Sequence, residues 1–435
     1  MQGIDTGFRE SDDPQLLVDV LDYDVFILHR VPHSRLIGTV IDVARLRGKP
    51  VVCETDDLVF APELYDRIGF VDTLSPEDAR QFHDDLRLHA ETFQRCDCVL
   101  TTTDFLAREA RDRGKPAYVN RNAPSQEMIR ISELALASRR QNEEEGGQEV
   151  HPLVVGYFSG TGSHNRDFRV ITEPLIWMLE TYPQTWLHIS GNLELASAFA
   201  PYGDRIRRAP YVDWRELPYL IARVDVNLAP LEQDNPFCRA KSENKFVEAA
   251  LVGVPTIASP VEALEFAITD AEDGLLARTP EEWQDALGAL IDSPSRRREM
   301  GEAARRTAHA RYKPEARGSG LVETLQRIVD RHGGPLPPSE HILQEWGMCM
   351  ADYSRGMYQD ALTWEARVES LRQALAHYED QLIQTVREKE RLRGIIEHQR
   401  LVIERREELI EAIMQGRVMR LMTSTQRWLR SIRGD

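Results

Sequence analysis

Several features that would mark an exported or membrane-bound protein are missing from this sequence. Its 435 residues include only five cysteines: Cys53, Cys96, Cys98, Cys238 and Cys349. The number is odd and no Cys-x-x-Cys pair occurs, which disfavours a disulfide framework and a zinc finger alike. Cys96 and Cys98 flank Asp97 beside an apolar run, with no histidine at ligand spacing, so they read as small apolar side chains at a strand edge. No run of about 18 apolar residues is present, so no transmembrane helix is expected. The opening Met1-Gln-Gly-Ile-Asp-Thr-Gly lacks the charged-then-apolar pattern of a secretion leader. A reduced, cytoplasmic protein is the expectation. Positive charge is also short: 54 Lys and Arg face 71 Asp and Glu, a net charge of -17. That excludes the chain as a whole from nonspecific nucleic-acid binding, while leaving local cations for a phosphate.

What is present suits a globular protein. The hydrophobic share of 42% is enough for a sizeable core. Short apolar runs alternate with helical periods, as in a parallel α/β sheet. Asp24–His29 reads as a buried strand, Ser34 caps a helix to Arg47, and Val51-Val-Cys53 starts the next strand. Ser75-Pro-Glu announces a long polar helix. Cys98–Thr103 is a strand, with Asp104 capping the helix after it. Residues 1–137 are thus expected to form one Rossmann-like domain, with only about two dozen residues before its first clear strand. The polar stretch 138–150 reads as a linker. A second α/β domain follows over 151–332, with strands at Leu153–Phe158, Trp186–Ser190, Val224–Ala229 and Val254–Ser259.

Gly333-Gly-Pro-Leu-Pro-Pro338 breaks the pattern and opens a second linker, 333–360. From Val368 a heptad appears: Val368, Leu375, Leu382, Ile396, Ile403 and Ile410 in one register, Leu371, Tyr378, Leu392 and Ile413 in the companion one. A coiled coil over 361–435 is expected, and with it a homo-oligomer. Its end, Gly416–Asp435, carries five arginines among apolar residues. It reads equally as a helix lying on an acidic membrane surface and as a plain basic helix end.

Two segments carry candidate chemistry. In the first, a strand runs into Ser159-Gly-Thr-Gly-Ser-His-Asn165. Gly160 and Gly162 allow close backbone approach, Ser159 and Thr161 offer hydroxyls, and the following helix presents its free amides, a combination that suits a diphosphate. The second is Pro236-Phe-Cys-Arg-Ala-Lys-Ser-Glu-Asn-Lys245, continuing as a helix from about Lys241 to Leu251. Lys241, Lys245 and Glu248 share one helical face. A cation, the Ser242 hydroxyl and the helix dipole can converge there on phosphate, with Glu248 placed for ribose hydroxyls. A solvated Lys245–Glu248 pair fits the same spacing equally well.

These segments resemble the donor site of the retaining glycosyltransferases of family 4, which have the GT-B fold of two facing Rossmann-like domains. Glu248-Ala-Ala-Leu-Val-Gly-Val-Pro255 matches the second half of that family's motif. The glutamate that opens the motif is replaced by Ala240. A subgroup is closer, sharing the Pro-Phe-x-x-Ala-Lys-Ser-Glu-x-Lys run, Gly156-Tyr-Phe-Ser-Gly-Thr161, His164 and Asp167-Phe168. The resemblance spans about Asp24 to Tyr312. It implies that Ser159, Gly160, Thr161, His164, Ser242 and Glu248 bind the donor, and that Lys241 or Lys245 stabilises the leaving diphosphate. Glu243 or Asp234 then contacts the sugar. Asp56-Asp57 follows the second strand and resembles the subgroup's Asp-x-Asp-Asp-Leu segment, with Glu54 for the first aspartate. Together with Arg30 and His33, it is expected on the acceptor side of the cleft, a helix-cap role fitting the two aspartates equally well and a structural role fitting the histidine. The resemblance implies transfer from a nucleotide-sugar to a glycan or lipid-linked acceptor, with retention, no metal and no cofactor. The family's first domain usually has several strands before the one that matches Asp24–His29, so the resemblance implies that the first domain here is truncated at its start or reduced; with Ala240 this favours a second reading, a non-catalytic scaffold organised by its coiled coil that binds nucleotide or glycan.

Overall fold

The computed structural model describes residues 4–68, 71, 74–145, 152–159, 165–334 and 344–356, with 342, 373, 384, 387–394, 396–401 and 403–406 further on. Two units are distinct, Met1–Met350 and Ala351–Asp435. The first contains two parallel sheets, each strand alternating with helices. The first sheet comprises β1 (Phe26–His29), β2 (Val51–Thr55), β3 (Cys98–Thr101) and β4 (Ala117–Val119) in that order. The second comprises β5 (Leu153–Phe158), β6 (Thr185–Ser190), β7 (Ile206–Ala209), β8 (Val226–Ala229), β9 (Thr256–Ala258) and β10 (Leu275–Leu276), in the order β10-β9-β8-β5-β6-β7. The chain moves outward from β5 in one direction and returns at β8 to move outward in the other. The β5/β8 junction is therefore the switch point, beyond whose carboxyl ends an open α/β sheet binds ligands.

The helices of the first half are α1 (Leu16–Asp19), α2 (Arg35–Leu46), α3 (Pro76–Arg95), α4 (Asp104–Asp112) and α5 (Gln126–Glu145). Those of the second are α6 (Asn165–Arg169), α7 (Thr172–Thr181), α8 (Leu217–Ile221), α9 (Pro236–Arg239), α10 (Asn244–Leu251), α11 (Glu262–Ala267), α12 (Pro280–Ile291), α13 (Pro294–Arg311) and α14 (Pro314–His332). The expected serine caps form: Ser34 Oγ accepts from Ile37 N at 3.2 Å and Ser75 Oγ from Asp78 N at 3.1 Å. The cap of α4 lies one residue earlier than expected. Thr103 Oγ1 accepts from Leu106 N at 3.2 Å, and Asp104 in the first turn pairs instead with Arg121.

The sequence-based boundaries miss an exchange of helices. Residues 138–145 continue α5 where a linker was expected. Their Glu, Gln and Arg are good helix formers, and α5 is anchored by buried Ile131, Ala135 and Leu136. It packs on the second sheet, not the first: Ala135 shares a core with Val154, Phe158, Ile221 and Val254. In return α14, the last helix of the expected second domain 151–332, covers the first sheet, where Ile328 packs with Val52, Cys98 and Leu100. The stretch 344–350 lies against α2, with Cys349 Sγ 3.3 Å from Thr39 Oγ1 and Arg35 3.3 Å from Glu345. Cys98 is thus interior to the sheet, between β2 and β4, and all five cysteines are free and buried. Gly253, at φ 69°, makes the turn from α10 into β9, and Gly301 of α13 fits against its carbonyl where a Cβ would lie 2.1 Å away.

In the second unit, Leu392, Ile396 and Ile403 of the expected heptad are helical and exposed, at 49%, 65% and 53%. The remaining heptad positions and Gly416–Asp435 lie outside the described residues. Truncating the exchanged helix tests its weight. Ile328→Ala removes a fully buried side chain and is expected to cost about 2–4 kcal/mol, read as a lower midpoint in urea denaturation, even though Ile328 lies outside the first sheet's own sequence.

Candidate functional site

The donor-like segment folds differently from the single helix expected over Lys241–Leu251. Asn235 caps the short α9, its side chain accepting from Phe237 N at 3.0 Å, and the chain leaves the helix at Ala240. Lys241 and Ser242 therefore lie in a loop, and α10 starts only at Asn244. The first turn of α10 does not contain them. The loop nonetheless stands at the switch point, because α10 is tied to β8. Asn227 Nδ2 donates to the Lys245 carbonyl and to Thr256 Oγ1, both at 3.1 Å.

Lys245 lies against the carboxyl end of β5. Its ammonium donates to the Phe158 carbonyl and sits 5.0 Å from the centre of the Tyr157 ring. Burial lowers its basicity, opposed by the charges of Glu248 and Asp167. Glu248, one turn along, has its carboxyl pushed up to about 7 by burial, with Lys245 pulling it back. Ser159 is buried and its amide donates to the Ser190 carbonyl at 2.9 Å. Gly191, at φ 94°, permits this crossing: a Cβ there would lie 2.0 Å from the Ser159 carbonyl. Gly160, Thr161 and His164 lie outside the described residues. The structure thus brings Ser159, Lys245 and Glu248 to one end of the sheet.

Lys241 faces the other half of the protein. Its ammonium is 3.0 Å from Asp57 Oδ2. Burial works against its charge, but Asp57 more than offsets this and the net shift is upward. Asp57, expected on the acceptor side, is therefore drawn to the donor loop by a lysine. Asp56 and Arg30 remain together at the end of the first sheet, 3.5 Å apart and partly exposed. Arg30 has φ 48°, an uncommon conformation for a side-chain-bearing residue. His33 turns away from the cleft. Its ring lies 3.1 Å from Arg95 and 3.2 Å from Glu91, both on α3, because the arginine and carboxylate there satisfy its two nitrogens. His89, which no motif singled out, lies by Arg30. Burial and the Arg30 charge both hold its imidazole below its ordinary value.

Glu243 does not face a sugar. It is 1% exposed, and its carboxylate accepts from the Tyr312 hydroxyl at 2.8 Å and lies 3.5 Å from Arg121. A buried carboxylate needs such partners, and the two nearest donors lie inside the protein. Burial and Glu243 both push the Tyr312 phenol well up. Arg121 and Asn122 belong to the segment joining β4 to α5, and Asn122 Nδ2 donates to Ser242 Oγ at 3.1 Å. Thr103 Oγ1 approaches the Ala240 carbonyl at 3.5 Å, and Arg67 donates to the Asp234 carbonyl at 2.9 Å. The first half thus grips the 234–243 loop at several points. These partners lie more than 100 residues upstream of the motif they serve, at no spacing that sequence reading could detect.

Asp167, Glu232 and Cys238 place one ligand atom each within 4.8 Å of one another. Their geometry is that of a donor-acceptor cluster. Cys238 Sγ donates to Asp167 Oδ1 at 3.2 Å, and the Glu232 amide reaches the same oxygen at 3.3 Å. Burial, then Asp167, drives the Cys238 thiol far above its ordinary value, which keeps it protonated. Lys241 and Lys245 already supply positive charge to Asp167.

Residues 169–325 match a family model described as Glycosyl transferase-like. D-inositol 3-phosphate glycosyltransferase of Pseudarthrobacter chlorophenolicus is 31% identical over 151 residues, 34% of each chain. The protein of the same name from Nocardia farcinica is 44% identical over 92 residues, 21% of this chain and 19% of that one. The chain thus matches about a third or less of the length of these curated relatives. Among solved structures, Anabaena HepE in complex with UDP aligns with a TM-score of 0.52 at 16% identity, covering 72% of this chain and 81% of that one. Its complex with UDP and glucose aligns equally well, also at 16% identity, over 72% and 80%. The fold is GT-B-like, and residues 169–325 are its glycosyl transferase-like part.

The raised Glu248 value has a measurable sign. A carboxyl near 7 when folded and 4.5 when unfolded binds more protons in the native state. It therefore costs no stability below about 4.5 and progressively more as pH rises through 7. Glu248→Gln is expected to flatten the decline of Tm between pH 5 and 8; an unchanged slope rules out Glu248 as its source.

Proposed function

We propose that this chain is a glycosyltransferase that takes its sugar from a nucleotide-sugar donor. The observation that carries the reading is the set Lys245, Glu248 and Ser159 at the switch point of the glycosyl transferase-like part, with Lys241 in the adjoining loop. A cation buried beside the end of β5 stabilises charge that grows on a diphosphate leaving group far more than it would in water. Lys245 is already held there by the Phe158 carbonyl, so little reorganisation is needed. Glu248 is one helical turn away, the distance of a ribose from its diphosphate, and accepts hydroxyl hydrogen bonds in its ionised form. Support comes from the bound ligands of the HepE structures, UDP alone and UDP with glucose.

In this reading transfer retains the anomeric configuration, needs no metal, and delivers the sugar to a glycan or lipid-linked acceptor in cell-surface polysaccharide or related synthesis. In this reading Arg30, Asp56 and His89, grouped around Arg30, serve the acceptor. The protein works in the cytoplasm or at its membrane face; no helix among the described residues is long and apolar enough to cross a membrane.

Calorimetry with UDP, GDP and dTDP tests the binding. One of them is expected to bind, and Glu248→Ala to weaken it about 10–100-fold, the worth of one or two hydrogen bonds to a charged group. Sugar release from the matching donor, lost in Lys245→Ala while nucleotide still binds, separates an enzyme from a nucleotide-binding scaffold. No binding at millimolar concentration overturns the reading.

The exposed Leu392, Ile396 and Ile403 support a homo-oligomer formed through a coiled coil, since burying them requires another helix. Sedimentation of the full chain against one ending at residue 356 is expected to show the shorter chain as the smaller species. An unchanged oligomeric state sinks this.

A further inference from the structure

The ion pair between Lys241 and Asp57 joins the donor loop to the other half of the protein. Its carboxylate is fixed from behind. Asp57 Oδ1 accepts from the Leu58 amide at 3.0 Å. The Thr55 hydroxyl accepts from the Asp57 amide at 3.2 Å and donates to the Asp57 carbonyl at 2.6 Å. Oδ2 is thereby presented to Lys241 at 3.0 Å. The pair is reachable from solvent, the lysine side chain being 37% exposed and the aspartate 24%. Lys241 is also adjacent to Ser242, whose hydroxyl is held by Asn122, so the loop cannot carry the ammonium away from the carboxylate without breaking a second contact. An anchored carboxylate and an arriving phosphate must then compete for one ammonium.

We propose that Asp57 is the resting counter-ion of Lys241, and that the β-phosphate of a nucleoside diphosphate takes the lysine from it. Asp57 thereby weakens the hold on the diphosphate and favours release of the product. The inference rests on the nucleotide-sugar reading above and goes beyond it, because it assigns a donor-side role to a residue of the opposite half. The physical basis is like-charge repulsion. Two anions that share one ammonium stand roughly 5–7 Å apart, where an effective dielectric near 20 or above leaves a penalty large enough for about a 5- to 50-fold change in affinity. A nucleoside monophosphate has no β-phosphate to place at Lys241 and escapes the penalty.

Asp57→Asn tests this while keeping the Oδ1 acceptor for Leu58 and hence the turn. Dissociation constants are measured by calorimetry for UDP, GDP and dTDP and for UMP, GMP and dTMP. In Asp57→Asn the diphosphate that binds wild type is expected to bind about 5- to 50-fold more tightly, with its monophosphate unchanged. Product inhibition strengthens by the same factor. In a Lys241→Met background diphosphate binding is weaker and the Asp57→Asn gain is retained or larger, because no ammonium then stands between the carboxylate and the phosphate. Unchanged or weaker diphosphate binding in a variant with wild-type Tm overturns the proposal and leaves the nucleotide-sugar reading standing. Failure of the wild type to bind any of the three diphosphates overturns both.

Discussion

Each sheet of this protein has an apolar face that is covered by a helix from the other half of the chain. Leaving such a face in water costs about 25 cal/mol for every Å² of apolar surface, so neither half is complete alone. The first sheet needs Ile328 and its neighbours on α14, and the second needs Ala135 on α5. This exchange ties the two halves together, and Lys241 of the donor loop meets Asp57, just beyond the end of β2, across them. The segment that carries Arg121 and Asn122 to the donor loop is the one that leads into α5. Had α5 remained on its own sheet, those residues would have no reason to stand beside Ser242 and Glu243.

The electrostatics of the site follow from that arrangement. Four charged residues of one motif have four different environments. Lys245 is buried against a strand end and loses basicity, whereas Lys241 is held charged by a carboxylate from across the cleft. Glu248 is half-buried and sits near neutrality, and Glu243 is enclosed with Tyr312 and Arg121. Their spacing along the chain is nearly uniform, so spacing did not separate them. Their division of labour comes from what lies opposite each one.

Glu243 illustrates the point most clearly. As the acid nearest the position of the missing family glutamate, it was the natural substitute for a sugar contact. Its carboxylate is instead enclosed, accepting from the Tyr312 hydroxyl beside Arg121. A charged residue in a motif reports chemistry only when its side chain reaches the cleft, and reach is decided by residues far away in sequence. Cys238 likewise drew no attention as a cysteine in a reduced protein, yet its thiol completes a buried hydrogen bond to Asp167 beside both lysines.

Local patterning was sufficient for most of the strands, the Ser34 and Ser75 caps, the turn at Gly253 and the second half of the donor motif. Each of these depends on interactions within a few residues: periodicity, a hydroxyl three positions from an amide, a positive φ. Strands β4, β7 and β10 escaped notice because they are short and half-buried, and their existence depends on a neighbour to pair with. The exchange of α5 and α14, the Lys241–Asp57 pair and the enclosure of Glu243 were decided by tertiary structure alone. The residues involved are 69 to 184 positions apart where they meet by hydrogen bond. No local rule distinguishes a charged helix that spans a gap from a linker, or a lysine that meets phosphate from one that already has a carboxylate.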